Sequence, residues 1–317
     1  MGGALQMGPF DAIDEVGPRT KPPFLPDRPG CPACGEKRTR PLFTVDRTNY
    51  VECLTCGLAH IDPLPTEREL LANFGSGYFE GSEVPGGYKS YAADELLHRR
   101  NARRRLARLA KHRRGLEPGS FLDVGCAYGY ALDEARAQGW SVVGVEPAPA
   151  PAQRARELDL PVFPDIGAAN ASHPEGFDVV SVCQVLSHVP DPESAVASAV
   201  KALKPGGLLF IETWRRDNVL ARLAGRRWHV IHPPTVVWLE TSASIRALLG
   251  RVGLDIVGWT RGRKTVSLGL VTSLLDDRPL PRLVAGPTRR LSRSRWARSP
   301  VFYPFADLVW ITGARPR

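Results

Sequence analysis

A chain of 317 residues, 43% hydrophobic and 24% charged, carries enough apolar material for one large domain with a small companion. No run of eighteen apolar residues occurs, which excludes a conventional membrane-spanning helix. The start lacks an apolar signal core, which makes the cytoplasm the expected compartment. The net charge of +9 suits nucleic acid, a membrane surface or an anionic substrate, although the two Arg-rich runs, 98–115 and 289–298, read most simply as solvated helix faces.

In chain order, residues 1–29 are rich in Gly and Pro and read as a loose lead-in. Cys31, Cys34, Cys53 and Cys56 follow in a C-x2-C, x18, C-x2-C spacing. Each pair predicts a knuckle, with Gly35 and Gly57 freeing the backbone to turn. Two knuckles make a closed all-sulfur tetrahedron, which suits a structural zinc ion, with iron as the alternative metal. Residues 30–64 are therefore expected to form a zinc ribbon, and 65–118 a helical linker. Within the linker, 65–73 reads as a short helix after a Pro-bounded start and 92–114 as a long helix. A loop rich in Gly and Tyr lies between them.

From 119 the pattern becomes strand–helix alternation. Strands are expected at 120–125, 141–146, 161–164, 177–186, 206–213, 254–262 and 306–316. Helices are expected at 130–139, 150–159, 192–204 and 241–253. Val/Leu/Ile runs alternating with helices define an α/β fold: a mostly parallel, Rossmann-like sheet with both faces covered. Residues 262–305 interrupt the last two strands and read as a lid or edge cover, with a dimer contact or a surface for a lipid-linked acceptor as alternatives.

The stretch FLDVGCAYGY at 121–130 places Gly125 and Gly129 just beyond the first of these strands. The dinucleotide fingerprint G-x-G-x-x-G does not fit. The acid Asp123 comes before the glycines, where it would repel a pyrophosphate but suits a cationic amine. Glu146 ends the next strand, where its carboxylate can accept both hydroxyls of a ribose. Cys126 and Cys183 sit at strand ends and read as small buried filler.

LDVGCAYG, VVGVEPA, FDVVSVCQVLSHVPDP and LKPGGLLFIET, in that order, closely resemble class I S-adenosylmethionine-dependent methyltransferases. The resemblance spans roughly 120–317 and implies their seven-stranded sheet. It further implies that Asp123, Gly125, Cys126 and Gly129 surround the methionine part of S-adenosylmethionine. Glu146 and Pro147 would meet the ribose, Asp165 and Ile166 the adenine, and Gln184 with Leu186 the methyl-donor side. The chain departs from the family in having Ala127 where Gly is common. The ribbon followed by PLPT and paired tyrosines resembles the head of a methyltransferase group that includes deoxysugar C-methyltransferases and natural-product and polysaccharide enzymes. There Tyr88 and Tyr91 would cover the cofactor near its methyl group. Thr235 and Val236 stand where the deoxysugar enzymes carry a Glu-His pair, which speaks against that mechanism.

Methyl transfer needs alignment and, for a protonated nucleophile, a base. His188, His229 and His232 are the candidates, His188 doubling as a candidate structural cap. The expected function is methyl transfer to a small-molecule acceptor. A ribosomal-RNA-type methyltransferase is the alternative, but the ribbon lacks interleaved basic and aromatic residues, and no flipped-base motif follows the fourth strand. A cofactor-binding subunit without turnover is a third reading.

Overall fold

The computed structural model describes residues 30–81, 84–112, 117–276 and 295–317. The expected lead-in, much of the 262–305 insertion and part of the second basic run lie outside the described residues. Strands β1 (Thr39–Val45), β2 (Thr48–Cys53) and β3 (Ala59–Asp62) form an antiparallel meander. Helix α1 (Glu67–Leu71) opens on a capping box. The Thr66 side chain accepts the Glu69 amide while the Glu69 carboxylate takes the Thr66 N–H. Helices α2 (Ser76–Phe79) and α3 (Glu95–His112) complete the linker. The helix expected from 92 begins with a tighter 3₁₀ turn over Ala92–Asp94.

The large sheet contains β4 (Ser120–Val124), β5 (Ser141–Val145), β6 (Val162–Phe163), β7 (Phe177–Cys183) and β8 (Leu203–Trp214). Between them run α4 (Tyr130–Arg136), α5 (Pro149–Arg156), α6 (Ile166–Ser172) and α7 (Pro192–Ala202). After β8 come α8 (Val219–Ala224), a short β9 (Trp238–Leu239), α9 (Ser242–Arg251) and β10 (Asp255–Arg261). The remaining elements are β11 (Thr265–Ser267), α10 (Leu268–Asp276), β12 (Pro300–Phe302) and β13 (Leu308–Ala314).

The sheet has seven strands in the order β10-β13-β8-β7-β4-β5-β6. Its parallel part is fixed by registers such as Asp123 opposite Gly144 on β5 and Ser181 on β7, while β13 runs antiparallel between β8 and β10. Strand order reverses between β4 and β5 on one side and β7 on the other, which opens a crevice above the carboxyl ends of these strands. Several element ends differ from expectation by a few residues, and two differences have a clear cause. The residues assigned to the end of the fourth helix, 203–204, belong to β8, because the strand continues through Pro205 and the two glycines. Helix α6 was not anticipated, its Ala- and Ser-rich turn giving little apolar period.

The ribbon is fused to this sheet. Strand β9 pairs with β3, so the small sheet reads β1-β2-β3-β9. One apolar cluster runs from Tyr50, Leu58 and Ile61 through Trp238 and Leu239 to Leu186, Val182 and Ile211. Trp238 is fully buried and donates its indole N–H to the Val189 carbonyl at 2.8 Å. No helix among the described residues is long and apolar enough to cross a membrane.

Candidate functional site

The four ribbon thiols converge. Their sulfur atoms all lie within 4.8 Å of one another, with Cys31–Cys56 and Cys34–Cys53 at 3.5 Å. Four sulfurs each ~2.3 Å from one zinc ion would be about 3.8 Å apart, so the cluster fits a tetrahedral metal. Both knuckles repeat one backbone pattern. The Gly35 N–H donates to Cys31 and the Gly57 N–H to Cys53, while Cys31 and Cys53 donate to Glu36 and Leu58. Gly35 and Gly57 have φ of 79° and 69°, which a side chain would oppose. All six cysteines are free of disulfides.

Above the sheet lies a cavity of about 690 Å³, within the range of small-molecule sites. Its floor is the β4–α4 loop. The amides of Gly125 and Cys126 both donate to the Val145 carbonyl, at 2.7 and 3.0 Å, which folds the loop back over β5. Gly125 has φ of 73°, and a Cβ there would stand 2.4 Å from Val185 Cγ2. Ala127 adopts φ of 49°, a left-handed conformation costly for a non-glycine residue.

Asp123 is buried, accepts the Ser181 hydroxyl at 2.5 Å, and has its carboxyl pushed up to about 6 by burial. Burial also raises Glu146. Its two oxygens receive the amides of Ala127 and Ala148, each at 3.0 Å, and each keeps a lone pair. Asp165 caps α6 through the Ala168 amide at 2.8 Å. Asp123, Gly125, Cys126, Glu146, Pro147, Asp165, Ile166 and Gln184 all line the cavity, as do Tyr88 and Tyr91. Gly129 and Leu186 do not. A Cβ on Gly129 would meet Leu160 at 2.5 Å and Ala155 at 3.0 Å, so this glycine lets α4 pack against α5.

Of the three histidines, only His188 lines the cavity. Its Nδ1 is 2.7 Å from the Thr235 carbonyl, which assigns the proton to that nitrogen and leaves Nε2 as an acceptor. Burial lowers its basicity, so the ring is neutral near pH 7. His229 sits instead in a polar cluster, 2.6 Å from the Tyr303 hydroxyl. Tyr303 and Trp228 both donate to Asp307, each at 2.9 Å. His232 packs against Gly86 at the edge of the linker loop.

One wall escaped sequence reading. His98, Asn101 and Arg105 lie three and four residues apart on α3 and face the cavity together. Arg105 donates to Glu212 at 3.1 Å. Glu212 also takes Gln184 Nε2 at 2.7 Å and the Trp310 indole at 2.5 Å. Burial works against its ionisation, yet Arg105 and Lys264 hold its carboxyl below the usual range. Gln184, with φ of 58°, is bent so that its amide reaches the Glu212 carbonyl at 2.6 Å. Part of the basic run is drawn into the fold. Arg99 pairs with Asp133 at 2.7 Å, Arg103 with Glu134 at 2.6 Å, and Arg104 bonds Thr265. Only the odd position of Arg105, inside an otherwise exposed-looking basic stretch, could have flagged this wall.

A cavity at the strand-order switch, with an acid ending β4 and another ending β5, defines the class. The chain belongs to the methyltransferase-domain family, whose pattern matches residues 94–258, and its fold is that of class I S-adenosylmethionine-dependent methyltransferases. It is similar to the ubiquinone biosynthesis O-methyltransferase of Klebsiella pneumoniae, with 35% identity over 130 residues, covering 38% of this chain and 53% of that protein. The same enzyme of Pseudomonas paraeruginosa is 40% identical over 113 residues, covering 33% and 48%. The chain thus spans about half the length of the curated relatives it matches. Among solved structures it is similar to the 1,6-didemethyltoxoflavin-N1-methyltransferase of Burkholderia thailandensis. That likeness has 18% identity and a TM-score of 0.48, and covers 88% of this chain and 100% of that one.

Proposed function

We propose that this protein transfers a methyl group from S-adenosylmethionine to a small-molecule acceptor. The observation that supports this best is the ordered set of acids along the crevice. Glu146 has both oxygens anchored by backbone amides and lone pairs left for a ribose diol. Asp123 is a buried carboxylate facing the same cavity, suited to an ammonium group. Arg105, on the opposite wall, suits the carboxylate of the same amino-acid tail. Bound there, the cofactor supplies an electrophilic methyl group on a sulfonium. Tyr78, Tyr88 and Tyr91 close the cavity over it and exclude water. His188, neutral and with Nε2 free to accept, orients the acceptor or takes its proton.

The relatives in ubiquinone biosynthesis, which are O-methyltransferases, support a small acceptor. The pairing of Arg99, Arg103 and Arg105 with Asp133, Glu134 and Glu212 weakens the charge argument for RNA. The four ribbon thiols would hold a structural zinc ion. Calorimetry with S-adenosylhomocysteine tests the core of the proposal. Micromolar uptake is expected, together with S-adenosylhomocysteine release on screening pooled small acceptors. A purified, zinc-loaded chain that takes up neither the cofactor nor its product would overturn it.

A further inference from the structure

We propose that the methyl acceptor carries a carboxylate, and that Lys264 and His98 form the subsite that holds it; this rests on the methyltransferase reading above. Lys264 follows β10 and lines the cavity, deep enough that burial depresses its basicity. Among the described residues its ammonium donates to a neutral group, Gln184 Oε1, at 3.1 Å, and lies 5.8 Å from the centre of the Trp214 ring. Glu212 and Asp94 are its nearby carboxylates, but neither bonds the ammonium among the described residues, and Arg105, Gln184 and Trp310 already donate to the Glu212 oxygens. A half-buried cation bonded directly to an amide, with its carboxylates out of bonding reach, can take an anion supplied from outside.

His98 points to the same place. It is half-buried, lines the cavity, and its Nε2 is shut off from solvent with no hydrogen-bond partner among the described residues. Burial and the cations of Lys264 and Arg105 together push its basicity down to about 3, so it is a neutral ring. A neutral imidazole can present an N–H to an anion while its other nitrogen stays bare. Its ring stacks on Tyr91 at 3.9 Å, which fixes its orientation. The loop is held in place as well. Asn101 exchanges two hydrogen bonds with the Thr265 backbone, at 2.7 and 2.8 Å, which pins the residue after Lys264 to α3 three residues beyond His98.

Topology separates this corner from the cofactor half. Asp123, Glu146 and Asp165 mark β4, β5 and the end of β6, whereas Gln184 and Glu212 mark β7 and β8 on the other side of β4. Lys264, bonded to Gln184 after β7, therefore stands on the β7–β8 side of Asp123, across from the acids suited to the ribose and adenine, and the acceptor is assigned to that side.

The test uses the full chain saturated with S-adenosylhomocysteine and four acid/amide pairs: benzoate, salicylate, cinnamate and indole-3-acetate, each against its primary amide. Binding is read by saturation-transfer NMR and calorimetry. We expect at least one acid to bind about tenfold or more tighter than its amide, K264M to erase that preference, and K264R to keep part of it. Affinity for S-adenosylhomocysteine should stay within about twofold in both variants, which separates this inference from the methyltransferase reading. Acid and amide binding alike in every pair, or K264M binding the acids as well as the wild type, would overturn the subsite. Inorganic phosphate binding tighter than every carboxylate would overturn the carboxylate assignment. The comparison of acids with amides on the wild type holds even if K264M fails to fold.

Discussion

Arg216 donates to Glu52 at 2.6 Å, and the same guanidinium nitrogen donates to the Gly57 carbonyl at 2.7 Å. One side chain from the end of β8 thus clasps both a ribbon strand and the second cysteine knuckle. Thr241 adds a bond to the Cys56 carbonyl at 2.6 Å, and the Tyr50 hydroxyl a bond to Val236 at 3.0 Å. The knuckles are therefore part of the framework that carries β9 and the entrance to α9.

Removing the metal should consequently unfold more than a ribbon. With zinc withdrawn by a chelator, or with its tetrahedron broken in Cys56→Ser, the remaining thiols lose their shared partner. Calorimetry should then give a single transition lowered by at least about 10 °C, because the expected loss of several kcal/mol falls on a shared core. A separate low-temperature transition with the main one unmoved would contradict this. Elemental analysis should return one zinc per chain.

Asp123 sets a pH dependence for cofactor uptake. Its folded-state carboxyl titrates near 6, raised by burial above its unfolded value. The sign follows directly: the group favours folding below its unfolded value and opposes it, when ionised, above 6. An ammonium ligand needs the ionised form. Affinity for S-adenosylhomocysteine should therefore be flat above pH 7 and fall about tenfold by pH 5. Asp123→Asn should lose roughly 100-fold or more in affinity and all of this pH dependence. Its melting temperature should be unchanged or raised, because no buried charge is left. A variant that binds normally at pH 7 would remove Asp123 from the site.

Gly125→Ala and Ala127→Gly should move stability in opposite directions. The new methyl at 125 would meet Val185 at 2.4 Å on a backbone with φ of 73°, and a loss of about 2–3 kcal/mol with loss of cofactor binding is expected. At 127 the native residue already sits at φ of 49°. Glycine there relieves about 1–2 kcal/mol of left-handed strain against a larger unfolded-state entropy, leaving a change between zero and about +1 kcal/mol. Denaturant melts of the two variants distinguish the signs.

What the sequence made legible followed from local rules. The strand order needed only apolar runs separated by amphipathic helices, and the acids ending β4 and β5 sat at fixed offsets from glycines. The cysteine spacing announced its own geometry. What stayed hidden was long-range. Lys264 reaches Gln184 across 80 residues, and Asn101 meets Thr265 across 164. His229 resembled an acceptor-side residue in sequence, yet Tyr303 and Asp307, seventy-odd residues later, draw it into a separate cluster. The 98–115 run read as solvent-facing because its acidic partners, Asp133, Glu134 and Glu212, are contributed by α4 and β8.

The histidines then divide by what they touch. His188 has one nitrogen committed to Thr235 and its ring in the cavity, whereas His229 is held in the Tyr303–Asp307 cluster. His188→Ala should lower kcat by about 100-fold with S-adenosylhomocysteine affinity within about threefold, the size expected for a lost proton acceptor or orienting group. His188→Asn keeps a side-chain N–H for the Thr235 carbonyl but not the basic nitrogen, so it should fold as the wild type does without restoring the rate. If Asn restores the rate as well, His188 is a cap that holds the turn after β7, and the proton leaves by another route. His229→Ala should do the reverse. It opens a cavity beside Trp214 and Phe305 and deprives the Tyr303 hydroxyl of its 2.6 Å partner, costing about 2–3 kcal/mol of stability while kcat at saturating acceptor changes by less than about threefold. Steady-state kinetics and melting curves on the three variants separate the two roles, because one residue is expected to move rate alone and the other stability alone.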